Sequence, residues 1–196
     1  MKLAKIQSAA EKEKKERRTR LWMAVFVTVI LGASTAAYAL METQSAEKRS
    51  YKEFTFYRTD SGWQPKKMNI VTSYLPQDVE NITIDGNLDL KDFSGIVYVN
   101  ALGNADLNAA NELIRTLNVE KATLSCSPEN ENESFCSELP IKSCADASPG
   151  NEVIIFESSN ETSIKYSDYC LTITGQSDDI LKAVDRTIFG LYSIIP

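Results

Sequence analysis

Histidine is absent from this chain, and that absence removes whole classes of chemistry. No Ser-His-Asp or Cys-His pair exists within it, and imidazole metal ligands are impossible. Carboxylate, Lys, Tyr and Ser chemistry remains; a Ser-Lys dyad stays open, but the many serines and lysines single out no pair. Neither the three-glycine dinucleotide fingerprint nor the Lys-Ser/Thr of a phosphate loop occurs. The four cysteines contain no C-x-x-C, so they give no zinc knuckle and no redox dithiol motif. No catalytic residue, metal or cofactor is expected.

Positive charge is scarce after residue 20. Residues 1–20 hold eight Lys/Arg and three Glu, a balance of +5, whereas the remainder holds 13 basic and 24 acidic side chains, a balance of −11. An acidic domain of this kind has no broad electrostatic attraction for nucleic acid, so no nucleic-acid partner is expected.

Between the basic head and the acidic remainder, Leu21 to Met41 runs 21 residues without a charged side chain. A helix of that length spans about 31 Å, close to the hydrocarbon thickness of a bilayer. Trp22 and Tyr38 lie near its ends, where amphipathic rings sit at headgroup level. The basic head predicts a cytoplasmic N-terminus, attracted to anionic lipid, and a C-terminal domain outside the cell membrane. A competing expectation is a cleaved leader, with Ala37-Tyr38-Ala39 as the small-x-small box. In both cases the remainder is exported. Gly32, Ala33, Ala36 and Ala37 form a small-residue stripe in the anchor, a second-rank candidate for helix pairing.

Export agrees with two further features. Cys126, Cys136, Cys144 and Cys170 all follow the apolar run, an even count suited to an oxidising compartment. Three N-glycosylation sequons, at Asn81, Asn132 and Asn160, lie on the same side. Four cysteines allow three pairings. Cys126 with Cys136 and Cys144 with Cys170 is favoured, because the first closes a hydrophilic loop and the second joins segments that read as strands; the other pairings, and a four-thiolate metal site, rank behind it.

The resulting organisation is a basic cytoplasmic head (1–20), a signal-anchor helix (21–41), a polar stalk (42–50) and an extracytoplasmic domain (51–196). The fold class expected is α+β, or α/β: one compact disulfide-bonded domain with a mixed sheet and two principal helices. A hairpin is predicted from Phe54 and Phe56, through Asp60-Ser61-Gly62, to Met68, Ile70 and Thr72. A turn over Gln77 to Glu80 leads to "ITIDG", and "SGIVYVNAL" suits a buried strand. "NADLNAANELIRTLN" places Leu107, Ala110, Ile114 and Leu117 at helical spacing, with Asn104 or Asp106 as N-cap. With "VEKATLSC" it forms a strand-helix-strand crossover of parallel strands. "PIKSC", "NEVIIFES" and "TSIKYSDYCLTITG" read as further strands. The last helix is capped by Ser177, with Asp178 and Asp179 at its N-terminus and Ile180, Leu181, Val184, Ile188 and Leu191 on its apolar face.

Three polar groupings invite chemistry. Asp85, Asn87 and Asp89 start like a calcium loop, but Leu90 and Ile96 stand where its Gly and bidentate Glu belong, so a turn with a solvated strand face is expected. Asp178, Asp179 and Asp185 resemble paired carboxylates, yet Asp178 reads as facing Lys182 one turn on, and structural duty is expected. Gly103, Asn104 and Asp106 lie between a strand and a helix N-terminus, where backbone N–H groups can hold an anion; they are the ligand candidates.

"FYRTDSGW" with "TSYLP", "YVNALGNADLNAANELIRTL", the cysteine-bracketed loop and "CLTITGQSDDILKAVDRTIFGL" resemble small, single-span exported proteins of archaea. The middle and end pieces are also similar to strand-helix units of archaeal surface-layer proteins, although Asn100-Ala101-Leu102-Gly103 stands where a glycine pair belongs. The resemblance implies a cell-envelope setting and transfers no catalytic or binding residue. The expected function is a membrane-anchored, noncatalytic interaction module. Its partners are the lipid bilayer and a membrane or envelope protein, and it serves as an envelope component or accessory subunit. The alternative is an exported small-ligand-binding domain or enzyme with its site at 103–106.

Overall fold

The computed structural model describes residues 17–32, 47–101, 104–117 and 119–196. The chain divides into two compact units, Met1–Ser45 and Ala46–Pro196. In the first, α1 (17–32) exposes Leu21, Trp22, Met23, Phe26, Val29 and Leu31, so it is apolar around its whole circumference. Among the described residues no helix is long and apolar enough to cross a membrane. The remainder of the expected span, 33–41, lies outside the described residues, as do Ala33, Ala36 and the cleavage box at Ala37 to Ala39.

The second unit is α+β with a mixed sheet. It opens with a three-stranded antiparallel sheet, β1 (Lys48–Tyr51), β2 (Phe54–Thr59) and β3 (Gly62–Pro65). The expected stalk is therefore shorter, because Lys48 to Ser50 already pair with β2. The hairpin forms at the predicted turn, but its second strand is Gly62–Pro65; Thr72 returns only as a bridge to Trp63. Gly62 explains this. A Cβ there would lie 2.3 Å from the Thr72 carbonyl oxygen, so only glycine lets the returning chain pair so closely.

The expected turn after Pro76 is a one-turn helix, α2 (Pro76–Val79), with the Asp78 carboxylate accepting from the Leu75 N–H at 3.0 Å. Then follow β4 (Ile84–Asp85), a 3-10 turn (Leu90–Phe93), β5 (Ile96–Asn100), α3 (Asn104–Thr116) and β6 (Lys121–Ser125). Asp89 caps the 3-10 turn by accepting from the Lys91 N–H. β5 and β6 pair in parallel, as the strand-helix-strand pattern predicts. After a long loop come β7 (Asn151–Ser158), β8 (Ser163–Ser167), β9 (Cys170–Gly175) and α4 (Ser177–Leu191).

The six-stranded sheet has the order β4-β8-β9-β7-β5-β6, all neighbours parallel except the β8–β9 hairpin. "TSIKYSDYCLTITG" is therefore two strands, split where Asp168 and Tyr169 both take positive φ, and β7 pairs with β9 and not with its chain neighbour β8. "PIKSC" is no strand: Ile141 makes one bridge to Cys126, and Cys144–Asp146 is a 3-10 turn. α4 begins one residue earlier than expected, since Gln176 is the N-cap and Ser177 the first helical residue. Lys182 pairs with Asp179 at 2.9 Å instead of Asp178.

The core lies between the sheet and the two long helices. Val97, Val99, Ile154, Phe156, Leu171 and Ile173 from the strands are buried with Leu113 from α3 and Ile180, Val184 and Ile188 from α4. Phe56 meets Phe189 edge to face at 6.0 Å, tying the small sheet to α4. Both favoured disulfides form, Cys126–Cys136 and Cys144–Cys170. This is the cysteine usage of an oxidising compartment.

Candidate ligand cleft at the strand ends

β5, β6 and β7 run parallel, so their carboxyl ends share one edge of the sheet, with Asn100 level with Ser125 and Ile155. Crevices outside the carboxyl ends of parallel strands are where open α/β sheets bind ligands. A cleft of about 600 Å³ opens there, bounded by Asn100, Glu129, Asn130, Lys142, Phe156 and Glu157. One wall is the 127–136 loop, closed at its base by the Cys126–Cys136 disulfide. Backbone bonds from Cys126 N–H to Pro140 O (3.0 Å) and from Lys142 N–H to Cys126 O (2.8 Å) hold the returning chain beside it.

The floor is already organised. Asn100 is buried; its Nδ2 donates to the Lys142 carbonyl at 2.9 Å, and its Oδ1 accepts from the Ser125 hydroxyl. The Lys142 ammonium lies 4.7 Å from the Tyr98 ring centroid. Ser143, the serine next to that lysine, donates its hydroxyl to Asp146 at 2.8 Å. The Ser143 N–H and hydroxyl hold the Asp146 carboxyl below the usual carboxylate range. Lys142 and Ser143 thus serve different partners and form no nucleophile-base pair. One cation and two carboxylates around a polar floor suit recognition of a small polar ligand by hydrogen bonds.

Of the predicted ligand residues, Asp106 is not among those that bound this cleft. α3 starts at Asn104, so Asn104 and Asp106 both fall inside its first turn and neither is its N-cap. Gly103 lies outside the described residues. The sequon asparagines Asn81, Asn132 and Asn160 are all exposed, and Asn160 Oδ1 accepts from Gln176 Nε2 at 3.1 Å. Among the described residues, no group of three or more Cys, Asp or Glu side chains is arranged to hold a metal ion.

The sequence singled out Asp185 but not its burial or its neighbour Glu112, and it did not single out Glu152 at all. Asp185 is completely buried; its Oδ2 accepts from the Tyr74 N–H at 2.6 Å, its Oδ1 has no hydrogen-bond partner among the described residues, and Glu112 of α3 lies close by. Glu112 in turn takes the Ser73 N–H at 2.9 Å and the Ser73 hydroxyl at 3.1 Å. Burial, then the adjacent Glu112, push Asp185 well above the carboxylate range. Glu152 is also buried, accepts from the Gly150 N–H at 2.9 Å and is raised by its burial. The sequence signal for Asp185 was its grouping with Asp178 and Asp179, but at the start of α4 Asp178 is exposed and Asp179 half-buried, whereas Asp185 is buried apart from them. Compared with known proteins, the chain matches no family model, no curated protein and no solved structure.

Proposed function

We propose that this chain is a membrane-anchored module whose disulfide-bonded domain faces outward and binds a membrane or envelope protein, without catalysis. The observation that carries the reading is the pair of disulfides in a domain that follows a basic head and a long uncharged run. Disulfides need an oxidising compartment, while the basic head favours the cytoplasmic side, so the chain between them crosses the bilayer. The all-round apolar surface of α1 supports this, since such a helix is stable only in apolar surroundings. The uncharged run continues in the sequence through residue 41. The archaeal resemblance supports a cell-envelope setting.

The test is the intact, non-reduced mass of the protein from its native membranes. A full-length chain, 21.8 kDa before modification, supports the anchor. A chain beginning at Leu40 sinks it and makes the protein a secreted domain. Mass that a glycosidase removes identifies used sequons at Asn81, Asn132 or Asn160. Saturable turnover by the full chain would overturn the noncatalytic part.

A second reading is favoured by the cleft at the carboxyl ends of β5, β6 and β7: an exported domain that binds a small polar ligand. Lys142→Ala then weakens ligand binding while leaving association with a protein partner unchanged.

A further inference from the structure

Charge is segregated within the second unit. Residues 47–67, the strands β1 to β3 with their turns, carry six Lys/Arg against three Asp/Glu, a balance of +3. Residues 68–196 carry seven against 20, a balance of −13. The strand register gathers the cations. Tyr51 pairs with Phe54, Phe56 pairs with Pro65, and Lys66 N–H bonds the Thr55 oxygen at 2.8 Å. The turn after β3, with Lys66 and Lys67, therefore lies at the same end of the small sheet as Lys52 in the β1–β2 turn. Lys48 pairs with Tyr57, and Tyr57 with Gln64, on the face opposite buried Phe56 and Trp63. All four lysines are exposed, and among the described residues none has a carboxylate within ion-pair distance. Glu47 is occupied by Arg49 at 2.8 Å, and Asp60 lies in the turn at the other end of the sheet, which leaves Glu53 as the acid beside Lys52.

Two of these lysines stand where another residue would be easier. Lys52 (φ 48°) and Lys67 (φ 74°) hold left-handed backbone, which glycine adopts without strain. Charge kept at two strained turn tips points to a use for the charge. In the sequence, only residues 42–47 separate the uncharged run from β1, and six residues reach about 20 Å when fully extended. A tether this short keeps the lysines at high local concentration against lipid phosphates, which attract them and repel the acidic remainder.

We infer, on the anchored reading proposed above, that the outer face of the β1–β3 sheet docks on anionic lipid, with Lys48, Lys52, Lys66 and Lys67 against headgroup phosphates. Tyr57, half-buried beside Lys48, supplies an amphipathic ring of the kind that sits at headgroup level. Attraction at the small sheet and repulsion of the acidic remainder act together, so the contact also orients the domain on the bilayer.

The test reconstitutes the full chain into vesicles of phosphatidylcholine alone and of phosphatidylcholine mixed equally with phosphatidylglycerol. A membrane-impermeant acetylating reagent is added, and each lysine is followed by peptide mass spectrometry, with exposed Lys91, Lys121 and Lys165 as internal controls. On anionic vesicles the four lysines should react at least about fivefold more slowly than on zwitterionic ones, the weight of a single lysine near an anionic surface, while the controls react alike on both. The protection should vanish in about 1 M salt, where the screening length falls to about 3 Å. Lys52→Gly combined with Lys67→Gly removes two charges at positions that suit glycine, so the fold is kept; protection of Lys48 and Lys66 should weaken about fivefold for each lysine removed. Equal reactivity on both vesicles, or equal protection of the controls, overturns the proposal. Protection on both vesicles that grows with the number of copies per vesicle overturns it too, because the acidic surface of a second copy then covers the lysines. Flotation reads the anchor separately. A chain that floats with zwitterionic vesicles at high salt but shows no lysine protection sinks the lipid-docking face alone. A chain that floats only with anionic vesicles at low salt sinks the anchor and keeps the docking face, and one that floats with neither sinks both.

Discussion

Asp185 holds its proton to higher pH than an ordinary carboxyl because charge at that position has neither water nor a cation to face. From α3 it meets Glu112, and from the 73–74 loop only N–H groups; Lys182, on its own helix, sits 5.9 Å from the Tyr74 ring centroid, and Asp78 of α2 is occupied with Leu75. Its folded pKa lies above the unfolded value of about 3.9. The stabilisation this shift contributes is therefore fully present below about pH 4 and is lost as pH rises through the folded value. Denaturant unfolding across that range should show stability falling with rising pH, with Glu152 adding in the same direction. Asp185→Asn cannot ionise, still accepts from Tyr74 and donates to Glu112, so it should flatten the pH dependence and leave stability at neutral pH equal or higher. Asp185→Ala should instead lose about 1–3 kcal/mol, because the buried Tyr74 N–H is left without an acceptor. The presence of an Asp in α4 was legible in the sequence. Its protonation was not, because Glu112 lies 73 positions away and meets it only across the helix pair.

At the scale of elements, the entries to β5 and β7 are fastened by backbone contact. A Cβ on Gly95 would lie 2.3 Å from the Gly150 oxygen, and Ile96 N–H bonds that same oxygen at 3.0 Å. Gly95→Ala should cost about 2–4 kcal/mol in unfolding experiments, since backbone must shift to relieve the overlap. The disulfides act on a longer range. They close separations of 10 and 26 positions, and by the loop-entropy account each is worth about 3 kcal/mol, with the longer loop about 1 kcal/mol ahead. Paired Cys→Ala variants measured by urea unfolding should therefore rank Cys144/Cys170 as the more damaging loss. The Cys126–Cys136 pairing was legible from its short hydrophilic loop; Cys144–Cys170 was favoured as a link between two strands, although Cys144 lies in a 3-10 turn. The β8–β9 hairpin was not legible, because its turn uses positive φ at Asp168 and Tyr169 without the Asn-Gly or Asp-Gly signal that marks such turns.

For the whole molecule, the tested quantity is topology. The basic head, the uncharged run and the late cysteines form one argument, and the intact native mass decides between anchor and leader. Hydrophobic periodicity and cap residues are properties of the chain in one dimension, so the sequence by itself determined the β5-α3-β6 unit and both long helices, while the choice of α+β over α/β and of one cysteine pairing among three was decided by the tertiary structure. The candidate site is different. Asn100, Ser125 and Lys142 come together only when parallel pairing aligns the ends of β5 and β6 and a disulfide-closed loop brings residue 142 back over them. Arg186 of α4 reaches the Ile82 carbonyl only because that helix packs against α2 and the chain that follows it. Those meetings depend on strand order and helix packing over separations of tens to more than a hundred residues. Local propensity carries no record of them, and tertiary structure alone decided them.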